Sequence, residues 1–286
     1  MTNLNRKTSL GDAVTIPADA VEMIDVGGRR LALADGGAGA PAVVLETGLG
    51  AESREWTAVQ RGVEGATRVC RYDRAGRGSS DPAPGPRTAL DLVADLNRLL
   101  RIANVRPPYI LVGHSFGGLL MRLYAHRHRG DVAGLVLVDA MHEDQFDVFG
   151  PMFPPPRASE PAALRDTRAF WTSGWRDSQS TVERIDFASS IEQARTVVSL
   201  GDLPLHIITA GTFLNQPAIP IAGRPALQER WDALQRSFLR LSSSATQSFA
   251  PANGHFVQRD EPGIVINAIR RMLARVTEIS AIESSS

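Results

Sequence analysis

The rest of the chain can be placed relative to one stretch, Tyr109-Ile-Leu-Val-Gly-His-Ser-Phe-Gly-Gly-Leu-Leu120. It begins as an apolar run typical of a buried strand, and a helical pattern of apolar residues follows at once, from Leu119 to Tyr124. We expect Gly113 and Gly117 to be glycines because strand and helix pass close together there. We also expect Ser115 to hold a strained backbone that pushes its hydroxyl clear of the sheet. A G-x-S-x-G motif between a strand and a helix predicts a nucleophilic serine.

Strand and helix patterns alternate on both sides of this turn. A hairpin is predicted over 21–34, and further strands over 42–46, 67–72, 133–138, 203–209 and 245–249. Helices are predicted over 55–63, 90–102, 227–238 and 262–276, with a frayed tail from Glu278. The alternation predicts an α/β fold with a mostly parallel, doubly wound sheet, whose chemistry gathers at the carboxyl ends of the strands.

Residues 141–201 interrupt the alternation. They combine a proline cluster, Pro151-Met-Phe-Pro-Pro-Pro156, with scattered phenylalanines and tryptophans. Because exposed aromatic residues in this number need a partner surface, we interpret the segment as a lid inserted into a core of residues 21–140 and 202–278. Residues 1–20 are polar and are predicted to form a flexible leader without a signal peptide.

Charge and composition narrow the class of protein. The 286 residues carry 31 basic and 31 acidic side chains, so no net field recruits nucleic acid or an anionic membrane. The single cysteine, Cys70, excludes an internal disulfide framework and a cysteine-based zinc site. No run approaches the length of a membrane span, and no residue spacing indicates a metal or an organic cofactor. The expected partner is a small-molecule substrate and the expected location is cytoplasmic, while formation of a homodimer stays open.

A nucleophilic serine needs a base, and the base needs a third group that orients it. Of six histidines, His255 lies in a loop between the last predicted strand and the last helix. The other five are His114 in the turn, His126 and His128 near a helix end, His142 at the start of the lid and His206 within a strand. His255 is the predicted base, since the chain order serine, acid, histidine is the one that this topology supplies.

The chain resembles the α/β-hydrolases, in particular their lidded esterase- and lipase-like group, over residues 21–276. The motifs that carry the resemblance are Gly113-His-Ser-Phe-Gly117, Tyr72-Asp-Arg-Ala-Gly-Arg-Gly-Ser-Ser-Asp81, Gly48-Leu-Gly50 and Gly254-His-Phe256. The resemblance implies an α/β-hydrolase fold with a lid and a Ser-His-acid triad.

The family usually places its acid after the strand predicted at 203–209, and this sequence departs from that pattern. No aspartate or glutamate occurs between 203 and 228. A variant within the family uses the end of the preceding parallel strand, where this chain has Asp139. Glu143, Asp144 and the neutral Asn215 remain alternatives for the third member of the triad.

Two backbone N–H groups are expected to bind the oxyanion. One follows the nucleophile, at Phe116. The resemblance places the other after the third strand, where many relatives carry His-Gly-X and this chain has Thr47-Gly-Leu49, so Leu49 is the expected donor. The loop from Asp73 to Asp81 is interpreted as structural packing near the sheet edge.

The leading hypothesis is a serine hydrolase that cleaves a carboxylic ester or lactone of an apolar, medium-sized molecule. The same triad also performs acyl transfer, amide or proline-peptide cleavage and carbon–carbon bond hydrolysis, and the fold does not choose among them. A serine at position 115 argues against haloalkane dehalogenase and epoxide hydrolase chemistry, in which the nucleophile is a carboxylate. Because the usual acid is absent, a ligand-binding protein with little turnover is the alternative from another class.

Overall fold

The computed structural model describes residues 21–179, 181–216 and 219–283. Within these ranges eight strands form one sheet. The strands are β1 (Glu22–Asp25), β2 (Arg30–Gly36), β3 (Ala42–Glu46), β4 (Val69–Tyr72), β5 (Tyr109–His114), β6 (Val132–Val138), β7 (Leu205–Ala210) and β8 (Ala245–Ala250). Their spatial order is β1-β2-β4-β3-β5-β6-β7-β8; β2 pairs antiparallel with β1 and β4, and the other pairings are parallel. This is the sheet of the α/β-hydrolase fold, so the predicted fold class is confirmed.

Helices cover both faces of the sheet. They are α1 (Thr57–Val63), α2 (Ala89–Ile102), α3 (Phe116–Arg127), α4 (Gln145–Phe149), α5 (Ala162–Thr172), α6 (Phe187–Arg195), α7 (Arg224–Ser237), α8 (Val257–Asp260) and α9 (Pro262–Glu283). Successive side chains of β5 alternate between the faces: Leu111 packs with α2 and α3, whereas Ile110 and Val112 pack with α1 and α9. Burial on both faces explains why β5 and β6 are continuous apolar runs.

The last helix is longer than the sequence pattern predicted. α9 runs to Glu283, so the prediction of a frayed tail from Glu278 is wrong up to that residue. The helix continues because no glycine or proline interrupts its second half. Residues 284–286 of that tail and the predicted leader, 1–20, lie outside the described residues. No helix in the described part of the chain is both long and apolar enough to cross a bilayer.

Residues 141–201, between β6 and β7, form the inserted segment, which contains the helices α4, α5 and α6. Its aromatic side chains pack on one another: Phe146 stacks on Trp175 with ring centroids 4.7 Å apart. The cluster reaches the core through Phe187, whose ring meets that of Phe116 edge to face at 5.3 Å. Phe116 is the first residue of α3, so the inserted segment packs directly against the serine turn. The boundaries of the lid stay a prediction.

Candidate active site

Ser115 lies at a sharp turn between β5 and α3. Its backbone has φ 52° and ψ −121°, the strained conformation expected from the sequence. The flanking glycines are required by close packing. A Cβ on Gly113 would lie 2.5 Å from the Gly117 carbonyl oxygen, and one on Gly117 would lie 2.5 Å from the Thr47 carbonyl oxygen. Local pattern and long-range packing therefore agree on this turn.

Asp139 directly follows β6, and the fold brings its side chain to His255. Oδ2 of Asp139 lies 2.7 Å from Nδ1 of His255, although 116 residues separate the two in sequence. Asp139 is completely buried and also has a positive φ, 42°. The second strained non-glycine residue of this region thus belongs to the same cluster as Ser115.

The three alternatives to Asp139 have other partners. Glu143 accepts a hydrogen bond from Arg122 at 2.7 Å, and Asp144 accepts one from Arg195 at 3.0 Å. The Asn215 amide faces a main-chain carbonyl at 3.4 Å. Among the four candidates, only Asp139 has a hydrogen bond to His255 within the described residues.

Four donors converge on the Asp139 carboxylate. Oδ1 accepts from the Ala210 N–H at 3.0 Å and from Trp231 Nε1–H at 2.7 Å. Oδ2 accepts from His255 and from the Thr212 hydroxyl. The buried carboxylate is thus fully hydrogen-bonded. The sequence pattern does not reveal Trp231 and Thr212 as partners of Asp139. Trp231 is one apolar position of the helix predicted over 227–238, and no local signal links either residue to Asp139.

His114, next to the nucleophile, supports the base. Its Nε2–H donates to the main-chain carbonyl of His255 at 2.8 Å, and the two imidazole rings lie 4.5 Å apart. The pKa of His114 lies well below its usual value, mainly because the side chain is buried and secondly because His255 is close to it. A neutral His114 therefore fixes the position of the His255 loop without adding a second charge beside it.

Ser115 and His255 line one cavity of about 330 Å³, together with Leu49 and Phe116. Its remaining wall is largely aromatic and comes from the inserted segment and the residues after β7; the aromatic members are Phe146, Phe170, Trp171, Phe187, Phe213, Trp231 and Phe256. The backbone N–H groups of Leu49 and Phe116 make no hydrogen bond within the described residues. The cavity thus contains a serine, an acid-bound histidine and two unpaired N–H donors.

A larger cavity of about 600 Å³ lies further out, between the proline-rich part of the inserted segment and the residues before α7. It shares Ile219 with the smaller cavity, and its lining includes neither Ser115 nor His255. The smaller cavity is therefore the one in which the predicted chemistry is placed.

The loop that begins at Asp73 is only partly as expected. The Asp73 carboxylate accepts the N–H groups of Ser53 at 2.7 Å and Ser79 at 3.1 Å, which fits a structural role. The expected position near the sheet edge is wrong, because β4 lies between β2 and β3. The buried Arg74 that follows Asp73 instead reaches the carbonyl of Gly48, beside the expected oxyanion donor.

Comparison with known proteins agrees with this architecture. A model of the α/β-hydrolase fold matches residues 41–193. The chain is 32% identical to a probable transporter, efuK, of Hormonema carpetanum over 87% of this chain, and it spans 42% of that relative's length. It is 29% identical to the uncharacterized protein YqjL of Bacillus subtilis, over 79% of this chain and 81% of the relative.

Among solved structures, a putative lipase of Acinetobacter baumannii aligns with a TM-score of 0.64 at 19% identity, covering 91% of this chain and 92% of the other. A likeness at that identity concerns the fold alone. The family match covers more than half of the chain, which therefore belongs to the α/β-hydrolase fold family.

Proposed function

We propose that this protein is a serine hydrolase that cleaves a carboxylic ester or lactone of an apolar, medium-sized molecule through an acyl-enzyme on Ser115. The observation that carries the proposal is the 2.7 Å contact between His255 Nδ1 and Asp139 Oδ2. The histidine held by this contact opens onto the same aromatic cavity as Ser115. An imidazole held in this way is suited to accept the proton of a serine hydroxyl.

In the first half of the reaction, Ser115 Oγ attacks the ester carbonyl carbon while its proton passes to Nε2 of His255. Asp139 accepts the Nδ1–H of His255, which leaves the lone pair on Nε2 and stabilises the imidazolium once it forms. The carbonyl π electrons move to the oxygen, which the N–H groups of Leu49 and Phe116 would bind. The tetrahedral intermediate then collapses: the ester C–O bond breaks, and His255 returns the proton to the leaving alcohol.

Water completes the second half by the same route. A water molecule attacks the acyl carbon and gives its proton to His255, and the same two N–H groups stabilise the second oxyanion. When this intermediate collapses, the bond to Ser115 Oγ breaks, the proton returns to the serine and the carboxylic acid leaves. The enzyme is restored with no cofactor consumed.

The cavity lining supports a neutral, apolar substrate. Within the described residues, no carboxylate, lysine or arginine side chain lines the cavity, and the polar contributions besides Ser115 and His255 come from Gln145, Thr167, Thr212 and Gln216. A charged group in such a site would lose its hydration without gaining a partner. The cavity volume of about 330 Å³ lies within the range of small-molecule sites but near its lower end, which favours a medium-sized substrate over a large one.

The test is the initial rate of hydrolysis of p-nitrophenyl esters from acetate to decanoate. We expect wild type to turn over the series with an optimum at short or medium chain length, and Ser115→Ala to be inactive. Ser173→Ala, at an exposed serine, is the matched control and should retain wild-type rates. Turnover that survives Ser115→Ala, or no turnover of any ester by wild type, would contradict the proposal.

A further inference from the structure

A buried ion pair joins the inserted segment to the loop after β4. Arg74 and Glu183 form two parallel hydrogen bonds, Nε to Oε2 at 2.7 Å and NH2 to Oε1 at 2.6 Å, across 109 residues of sequence. Their side chains are 1% and 2% exposed. Burial alone would raise the pKa of Glu183, but the Arg74 charge and the hydrogen bonds outweigh it and the pKa is lowered. Both groups are therefore charged.

The same two side chains hold the loop that carries the second oxyanion donor. Arg74 donates to the carbonyl oxygens of Thr47 at 2.8 Å and Gly48 at 2.6 Å. Glu183 accepts the N–H of Gly50 at 2.6 Å. Peptide groups on both sides of Leu49 are thus fixed.

The bond to Gly48 determines where the Leu49 N–H points. The Gly48 carbonyl and the Leu49 N–H belong to one planar trans peptide, in which the C=O and N–H bonds point in opposite directions. Because Arg74 binds the carbonyl from one side, the N–H must project to the other side. Leu49 lines the cavity, and its N–H is unpaired within the described residues.

We propose that Arg74 and Glu183 form a clamp that aims the Leu49 N–H at the oxyanion, so that the inserted segment supplies a positioning residue for catalysis. This inference rests on the proposed function, because it assigns the clamp to the oxyanion of an ester reaction. Neither residue touches the substrate; both act through the loop.

Stability alone is a weak reason for this pair. Desolvation of two buried charges roughly cancels their attraction, and apolar replacements of such pairs are often as stable. What an apolar pair could not supply is a donor to the Gly48 carbonyl and an acceptor for the Gly50 N–H. Those two contacts are the ones that orient the peptide group of Leu49.

The test uses Glu183→Gln and Arg74→Lys. Glu183→Gln places amide hydrogens against the guanidinium of Arg74. Arg74→Lys keeps a positive charge near Glu183, but a lysine cannot make all the hydrogen bonds of Arg74 at once. If one variant fails to fold, the other carries the test. Glu143→Gln is the matched control, because Glu143 also belongs to the inserted segment and pairs with a buried core arginine, Arg122, at 2.7 Å.

The first readout compares a p-nitrophenyl ester with its thionoester, in which sulfur replaces the carbonyl oxygen. Sulfur is a poor acceptor, so the ratio of kcat/KM for the two substrates reports the hydrogen bonds to the oxyanion. Losing one such donor costs about 10²–10³-fold in kcat. We expect kcat for the oxygen ester to fall by at least about tenfold in both clamp variants, with KM little changed and the oxygen-to-sulfur ratio reduced; Glu143→Gln should keep the wild-type ratio.

The second readout does not depend on turnover. Hydrogen–deuterium exchange of the peptide that contains residues 47–51 should accelerate in Glu183→Gln and should not change in Glu143→Gln. The glutamine keeps one acceptor oxygen for the Gly50 N–H, but its NH2 group faces the Nε–H of Arg74, which weakens the attachment of the loop. If wild type is active and the oxygen-to-sulfur ratio of kcat/KM is unchanged in the clamp variants, the clamp is overturned and the proposed function is not. Unchanged hydrogen–deuterium exchange of residues 47–51 in Glu183→Gln would have the same consequence. An inactive wild type would overturn the proposed function, and with it the assignment of the clamp to an oxyanion.

Discussion

Asp139→Asn is the substitution whose consequence the structure defines most closely. All four groups that contact the carboxylate are donors: Ala210 N–H, Trp231 Nε1–H, the Thr212 hydroxyl and His255 Nδ1–H. An asparagine keeps the shape but replaces one acceptor oxygen with an NH2 donor. The question is which oxygen position the new donor takes.

The two positions are not equivalent. At Oδ1, the NH2 would face the main-chain N–H of Ala210 and the Trp231 indole N–H, neither of which can become an acceptor. At Oδ2, it would face the Thr212 hydroxyl, which can rotate, and His255, which can change tautomer. The amide will therefore donate to Nδ1 of His255. That tautomer carries its proton on Nε2 and cannot act as a base toward Ser115.

The expected loss of kcat is large because the stable tautomer of His255 in the variant is the one protonated on Nε2. An acid-to-amide change that imposes the wrong tautomer lowers kcat by about 10⁴-fold in a serine triad, which corresponds to about 5 kcal/mol of transition-state stabilisation. KM should change little, since Asp139 is fully buried and does not line the cavity. The assay is the initial rate with the best p-nitrophenyl ester, with melting temperature as the check on folding.

Asp144→Asn is the control for this experiment, because Asp144 pairs with Arg195 and not with His255. It should retain activity within about twofold, as expected of an exposed ion pair. A folded Asp139→Asn protein that kept more than about a tenth of wild-type kcat would refute the tautomer argument and the assignment of Asp139 as the acid.

Three further outcomes follow from the contacts. Trp231→Phe removes one hydrogen bond to the Asp139 carboxylate but keeps an aromatic side chain in the cavity wall. The kcat measured with the same ester should therefore fall about ten- to a hundredfold, with little change in KM. An unchanged kcat would show that this hydrogen bond does not contribute to catalysis. Gly117→Ala places a Cβ 2.5 Å from a main-chain oxygen and should cost about 3 kcal/mol or more in urea denaturation, whereas Gly130→Ala, with no atom within 4 Å, should change stability by less than about 0.5 kcal/mol. Burial lowers the pKa of His142 to about 4, so the unfolded chain takes up this proton first as the pH falls and stability is lost from about pH 6.5 downward. His142→Gln should therefore lose about 2 kcal/mol less than wild type between pH 7 and pH 5, and equal losses would contradict the assignment.

Sequence reasoning succeeded where short-range pattern and chemistry coincide. The turn at Ser115 needs a strand before it, a helix after it and small residues on either side, and all of these lie within twelve positions. The absence of an acid between 203 and 228 left few candidates, and a carboxylate that ends an apolar strand needs a partner, which pointed to Asp139. The structure places that residue against His255.

Sequence reasoning failed where a contact depends on packing between distant segments. Trp231 reaches Asp139 across 92 residues, and Glu183 reaches Arg74 across 109. In a single sequence, Trp231 looks like one apolar position of a helix and Glu183 like one charge in an irregular segment. Only the folded chain, with β6 beside β7 and the inserted segment packed against the serine turn, brings these side chains to their partners.

If Ser115 carries the acyl group during turnover, the acylated protein can be detected by intact-protein mass spectrometry. Wild type would be mixed with a slowly deacylating p-nitrophenyl ester, quenched in acid during the burst of p-nitrophenol, and digested to locate the adduct. We expect a mass increase of one acyl group on the peptide that contains Ser115, and no adduct in Ser115→Ala. Turnover of the ester without any adduct, or with the adduct on another residue, would contradict it.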